Sequence, residues 1–128
     1  MLKIRWSLFP KFFPNLSAPE LAALVREVGL DTTNLVIREG FLVTPEKLKE
    51  QLGPFTKGLR AEGLDITFAT TGFRAEDLVK DDTPLAILAE HGIKEFRMDH
   101  FRAPDKDVRK ALTEARGKLE RLVTVCER

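Results

Sequence analysis

The sequence lacks most of the features that would reveal its chemistry directly. Its single cysteine, Cys126, cannot form a disulfide within the chain, and no metal-binding spacing of cysteine or histidine surrounds it. No stretch approaches the roughly 18 consecutive apolar residues of a membrane span, and the first ten residues, MLKIRWSLFP, lack the apolar segment of a signal peptide. These absences predict a soluble, cytoplasmic protein with no membrane partner.

An excess of charge of one sign is also missing. The 21 basic residues nearly balance the 20 acidic ones, which gives a formal net charge of +1. No basic run creates a local positive field either, so nucleic acid is not an expected partner.

Several catalytic signatures are absent too. There is no G-x-x-x-x-G-K-[ST] phosphate loop, no G-x-G-x-x-G after the first strand and no G-x-S-x-G nucleophile elbow. P-loop chemistry, the dinucleotide-binding fingerprint and serine hydrolysis of the α/β-hydrolase type are therefore excluded.

What the sequence does contain is a repeat. Gly29, Gly63 and Gly92 each follow a helix-like segment and precede a strand-like run, at spacings of 34 and 29 residues. Glycine in this position ends a helix, and strands that alternate with helices favour a parallel sheet. We predict one α/β domain over residues 1–128, made of four βα units: β (2–8), α (18–28), β (34–38), α (45–62), β (64–70), α (84–91), β (95–99) and α (104–127).

The expected helix starts carry capping signals. Ser17 and Glu20 form a capping box, and Thr44-Pro45 and Thr83-Pro84 each place a cap residue before a proline. Gly53-Pro54 predicts a kink or a restart within the second helix. In the last helix one apolar face is expected to be buried, with Cys126 in the core; this face comprises Val108, Leu112, Ala115, Leu119, Leu122 and Cys126.

The first and fourth strands each have one polar face, which is unusual for a sheet covered by helices on both sides. A barrel with helices outside and a polar interior would produce this pattern, and such barrels bind ligands at the carboxyl ends of their strands. Polar residues collect there, with Arg38, Arg97, Asp99 and His100 as the candidate substrate-binding set, beside Ser7, Glu39, Thr70 and Thr71.

Other interpretations of these residues stay open. Arg97 and Asp99 could form an ion pair on an edge strand, and His100 could only cap a loop. Glu39, Asp99 and His100 have the oxygen and imidazole donors that Mn²⁺, Co²⁺ or Zn²⁺ accept, but they lack the usual short spacing.

The segments KIRWSLFPKFF, SAPELAALVREVGLDTTNLVIREG, VTPEKL, LRAEGLDITFATT and LAEHGIKEFRM together resemble the sugar phosphate isomerase/epimerase family, which has the xylose isomerase-like TIM barrel. The resemblance implies a (β/α)₈ barrel that acts on a sugar or sugar phosphate through a divalent metal, Mn, Co, Mg or Zn. It also implies that the metal ligands come from later strands than the four present. This chain would then supply pocket-lining residues only.

Four βα units make half of such a barrel. The half barrel could be completed by a missing C-terminal half or by a second copy, as a homodimer, or the sheet could open into a flavodoxin-like layer. The alternative function is a non-enzymatic module that binds small anions or oligomerises. A DNA-binding relative similar to the AP endonucleases is a third possibility, which the near-neutral charge disfavours.

Overall fold

The computed structural model describes residues 4–103 and 107–127. Within them the chain alternates strands with helices: β1 (Ser7–Leu8), a 3₁₀ turn (Pro10–Phe12), α1 (Ala18–Glu27), β2 (Thr32–Ile37), α2 (Leu48–Ala61), β3 (Asp65–Thr71), α3 (Ala75–Lys80), α4 (Thr83–Glu90), β4 (Phe96–Arg97) and α5 (Val108–Cys126). No helix in this part of the chain has the length and apolar character needed to cross a lipid bilayer.

The four strands form one parallel sheet whose order follows the chain, β1-β2-β3-β4. The predicted α/β class and parallel sheet are thus confirmed. A flavodoxin-like sheet would place the first strand between the second and third. Here β1 lies at one edge and β4 at the other, so the flavodoxin-like alternative does not match the observed strand order.

All five α-helices contribute side chains to a single core. On the sheet, Leu35, Ile37 and Ala69 belong to this core, and Phe96 and Met98 of the fourth strand region pack against it. Since side chains alternate along a strand, the opposite face carries the intervening residues and receives no helix from this core. The molecule is therefore a two-layer structure in which one face of the sheet is covered by helices. The other face, which we call the open face, receives no helix from this core, although Asn34, Val36 and Thr70 on it are buried.

The predicted helix ends are confirmed. Gly29, Gly63 and Gly92 have φ angles of 72°, 78° and 74°, the left-handed conformation that glycine adopts without steric cost. The capping box is present as well, since the Ser17 backbone N–H donates to the Glu20 carboxylate over 2.8 Å.

A hydrogen bond from an arginine side chain to a backbone oxygen is also repeated, and it joins neighbouring units. Arg26, three residues before Gly29, donates to the backbone oxygen of Glu62 at the end of α2, over 2.6 Å. Arg60, three residues before Gly63, donates in the same way to the backbone oxygen of His91 at the end of α4. A cation near a helix C-terminus is favourable, so each arginine stabilises the helix end of the following unit.

The predicted start of α2 is wrong, and so is the predicted restart of this helix at Gly53-Pro54. Thr44 is not its cap, because its backbone N–H donates to the Gln51 side chain over 2.9 Å and the helix begins later, at Leu48. Pro54 lies within one continuous helix. It deprives the carbonyl of Glu50 of a donor, but both residues are on the exposed side, where water can reach that carbonyl.

Other boundaries also differ from the prediction. The first and fourth strands shrink to two residues each, because each lies at a sheet edge with one neighbour. A short helix, α3, was not predicted, and α4 begins at Thr83 with Asp82 before it. The predicted start of the last helix near Pro104 lies outside the described residues, and the described helix begins at Val108.

The predicted burial of α5 is wrong for most of its apolar face. Only Leu122 is buried, whereas Val108, Leu112 and Leu119 are exposed. Cys126, predicted in the core, is exposed as well. The helix is amphipathic as expected, but within the described residues no other element covers the part of its apolar side that carries Val108, Leu112 and Leu119.

Candidate functional site

The open face of the sheet has a hydrogen-bonded polar cluster at its centre. Asn34 of β2 is buried, and its side-chain oxygen accepts from the Ser7 hydroxyl over 3.0 Å and from the Thr67 hydroxyl over 2.6 Å. The register between β2 and β3 shifts at this point, since Thr33 faces Ile66 whereas Leu35 faces Ala69. The extra residue on β3 lets Thr67 meet Asn34 while Ala69 stays in the core.

Arg38 follows the last residue of β2, where the backbone is held on both sides. Its N–H donates to the Val43 oxygen over 3.2 Å, and its oxygen accepts from the Phe41 N–H. One terminal guanidinium nitrogen lies 3.4 Å from the Thr71 backbone oxygen, a long hydrogen bond. The Nε atom is buried and has no hydrogen-bond partner among the described residues. A buried donor without an acceptor is costly.

Asp99 lies beyond the end of β4, beside the loop that follows β3. Its backbone N–H donates to the Phe73 oxygen over 2.8 Å, which ties the two segments together. Its carboxylate lies 3.0 Å from Nδ1 of His100. The backbone N–H of His100 is the main reason why the pKa of Asp99 is lowered, and charge interactions with His100, Arg102 and Arg38 lower it further, against a contribution from burial. The side chain is thus an anion and a hydrogen-bond acceptor at neutral pH.

Of the four predicted site residues, Asp99 and His100 are in contact, and Arg38 is near enough to Asp99 for its charge to lower the pKa of that carboxyl. The fourth, Arg97, is in β4 and exposed, on the face opposite the core residues Phe96 and Met98. Its backbone oxygen accepts from the Thr71 hydroxyl, but no ion pair joins Arg97 to Asp99 within the described part of the chain. The edge ion pair left open by the sequence is therefore not formed, since Asp99 pairs with His100 instead.

A charged cleft continues from Asp99 and His100 toward α3 and α5. It is open, has a volume of about 470 Å³, and contains Arg102, Arg74 and Lys118 as further basic residues. Arg74 and Lys118 both pair with the carboxylate of Glu76. The charge of Arg102, by contrast, acts on Asp99 and lowers the pKa of that carboxyl. Sequence reasoning missed Arg102, although it lies two residues after His100 in the same segment.

An apolar wall borders the site on the side of β1 and β2. Phe13, Phe41 and Leu42 line a small depression together with Asn34 and Val36 of the open face. Small-molecule sites combine such apolar surfaces with a few oriented polar groups. In the sequence, the one sign of this depression is Asn34, a polar residue at the start of the otherwise apolar run NLVI.

A divalent metal does not fit the residues described. No group of three or more histidine, cysteine, aspartate or glutamate side chains in residues 4–103 and 107–127 has the arrangement to hold one. Asp99 and His100 offer two donors, and they are already paired with each other. We therefore assign no metal-dependent step to the side chains of this chain.

Comparisons with known proteins identify no relative: no family model, no curated protein and no solved structure matches the chain.

Proposed function

We propose that this chain is a four-unit arc of a (β/α)₈ barrel that binds a sugar or sugar phosphate at the carboxyl ends of its strands, as the pocket-forming half of an isomerase or epimerase. Support for the barrel comes from the sequential parallel order of the strands and the restriction of the helices to one face. In a barrel, consecutive strands are neighbours and parallel, the helices lie on the outer face, and ligands bind at the carboxyl ends of the strands.

The observation that carries the binding proposal is the guanidinium of Arg38. Its buried Nε lacks an acceptor, and the side chain is close enough to Asp99 for its charge to lower the pKa of that carboxyl. A phosphate oxygen or a sugar hydroxyl would give Nε the acceptor that the protein does not provide. Asp99 would accept from a neighbouring hydroxyl of the same ligand, and its negative charge would favour a polyol over a simple anion.

The chemistry of isomerisation would need groups beyond these. A divalent metal, when bound, would polarise a carbonyl and a hydroxyl of the sugar. The described residues do not supply its ligands, so the role proposed for Arg38, Arg97, Asp99 and His100 is to bind and orient the substrate.

Calorimetric titration of the purified chain with a pentose 5-phosphate, the parent pentose and inorganic phosphate tests this proposal. We expect the sugar phosphate to bind more tightly than either part alone, and Arg38→Met to weaken its binding about 10- to 100-fold, the effect of losing a charged hydrogen bond. Arg26→Met, which removes a guanidinium from a helix end remote from the site, is the matched control. Equal binding by the wild-type and Arg38→Met chains would refute the proposal.

An activity assay distinguishes the enzyme from the non-enzymatic alternative. The chain is assayed for aldose–ketose interconversion and for epimerisation with added Mn²⁺ or Co²⁺. Turnover that depends on the metal and is lost in Arg38→Met supports the enzyme. Binding without turnover supports an anion-binding module with the same pocket.

A further inference from the structure

The two edges of the sheet each leave an apolar surface uncovered. At the β4 edge, the surface is the stripe of α5, which we call the α5 stripe and which consists of Val108, Leu112, Ala115, Leu119 and Val123. Phe101 and four residues of the stripe, Leu112, Ala115, Leu119 and Val123, line an open and mostly apolar groove together with Arg116 and Glu120. At the β1 edge, Ile4 and Trp6 are 61% and 64% exposed, although they share the face of Leu8, which packs against the core.

We propose that a second copy of this chain covers both surfaces, so that β4 of each copy pairs with β1 of the other and the α5 stripe packs over Ile4 and Trp6 of its neighbour. The proposal rests on the barrel arc of the proposed function. In a barrel, the helix after each strand packs over the groove between that strand and the next one. The helix after β4 is α5, and no further strand follows it within residues 107–127.

The two edges are complementary in direction. All strands of the sheet are parallel, so each free edge must receive a parallel strand. A copy related by a two-fold axis parallel to the strands would present β1 to the free edge of β4, and the same operation would present β4 to β1. Two equivalent contacts would close the ring and remove both unpaired strand edges.

The charges of the two surfaces are also complementary. The helix α5 carries five basic and two acidic side chains over Val108–Cys126. The helix α1, which flanks β1 and would lie beside the α5 helix of the partner, carries two acidic side chains and one basic one over Ala18–Glu27. Opposite net charges on adjoining helices favour this pairing over that of two α5 helices.

The buried area is in the range that a stable dimer needs. A helix of 19 residues is about 28 Å long and about 10 Å wide, so one α5 contact covers about 280 Å² on each partner. Two contacts then bury about 1,100 Å² in total, close to the roughly 1,200 Å² of a small stable interface, before the paired strand edges are added. Closure would also place two copies of the Arg38 and Asp99 site around one interior.

The chain itself provides the reporter for a test. Trp6 is the only tryptophan, and it lies at the edge opposite α5, about 14 Å or three strand spacings away across the sheet. The experiment compares the light-scattering mass and the tryptophan emission of the wild type, Leu119→Glu and Thr113→Glu over a wide range of protein concentration. Thr113→Glu adds the same charge to an exposed position outside the α5 stripe.

We expect the wild type and Thr113→Glu to have twice the 14.5 kDa chain mass, and their Trp6 emission to shift to shorter wavelength as concentration rises. Leu119→Glu should be a folded monomer whose Trp6 emission lies at longer wavelength than that of the wild-type dimer, although residue 119 and Trp6 belong to opposite edges of the sheet. A monomeric wild type, a dimer that survives Leu119→Glu, or species larger than a dimer would each overturn the closed ring. Arg38-dependent binding of a pentose 5-phosphate by a monomeric wild type would preserve the proposed function and refute this inference alone.

Discussion

Replacing Arg38 by methionine should raise the stability of the ligand-free chain while it removes ligand binding. The buried Nε atom has no acceptor among the described residues, and an unsatisfied buried donor costs about 1–3 kcal/mol. The substitution also loses the hydrogen bond to the Thr71 oxygen, but at 3.4 Å this bond contributes less than about 1 kcal/mol. Methionine fills similar space without a polar atom, so we expect a net gain of about 1 kcal/mol.

For a domain of 128 residues, this gain corresponds to a rise in Tm of about 3–5 °C. Thermal unfolding followed by circular dichroism measures it, at a concentration where the oligomeric state of both proteins has been checked. Arg38→Lys is the informative companion, because it keeps the charge but loses Nε, and it should bind a sugar phosphate more weakly than the wild type. If Arg38→Met lowers Tm by several degrees, the guanidinium is part of the framework of the fold, and the argument for a ligand at this position fails.

Three further changes test the packing and the electrostatics by thermal unfolding. Gly58→Ala should destabilise the chain, because the new Cβ would lie 2.8 Å from the Cβ of Ala18. Gly117→Ala, where the new Cβ would meet no atom within 4 Å, should stabilise α5 by about 1 kcal/mol. A change in Tm of the same sign for both variants would contradict the packing of α1 on α2. Arg60→Met should cost about 0.5–1 kcal/mol through the uncapped end of α4, and an unchanged Tm would refute the cap. Asp99→Asn should lower Tm at pH 7. The difference in Tm between this variant and the wild type should shrink below about pH 3.9, because a carboxyl with a lowered pKa stabilises the fold only while it is ionised. A difference in Tm that does not depend on pH would contradict this.

The parts of the fold that the sequence predicts are those set by local chemistry. Gly29, Gly63 and Gly92 indicate helix ends because no other residue takes a positive φ angle so readily. The Ser17–Glu20 box identifies the start of α1 because both partners are within one turn. The start of α2 was missed because the group that satisfies the N–H of Thr44 is the Gln51 side chain, seven residues later, and a local pattern does not include it.

The candidate site was predicted only as a set of strand ends. The parallel order brings those ends to one edge of the sheet, which is why Asp99, beside His100, feels the charge of Arg38. The sequence does not show which of them become partners, because that depends on side-chain direction. Asp99 pairs with the adjacent His100 rather than with Arg97, which is on the same strand face. The missing acceptor for Nε of Arg38 is likewise a property of packing in three dimensions.

The last helix shows why periodicity predicts amphipathic character but not burial. Leu112, Leu119 and Val123 recur at helical spacing as a buried face requires, yet each is exposed. The apolar side of a helix is buried only if another surface faces it, and the spacing of its own residues contains no information about that surface. The same holds for Trp6, whose alternation with Arg5 and Ser7 is that of a half-buried strand. The two exposed surfaces lie at the two edges of one sheet, and this is the reason to look for a single complementary surface rather than to explain each one separately.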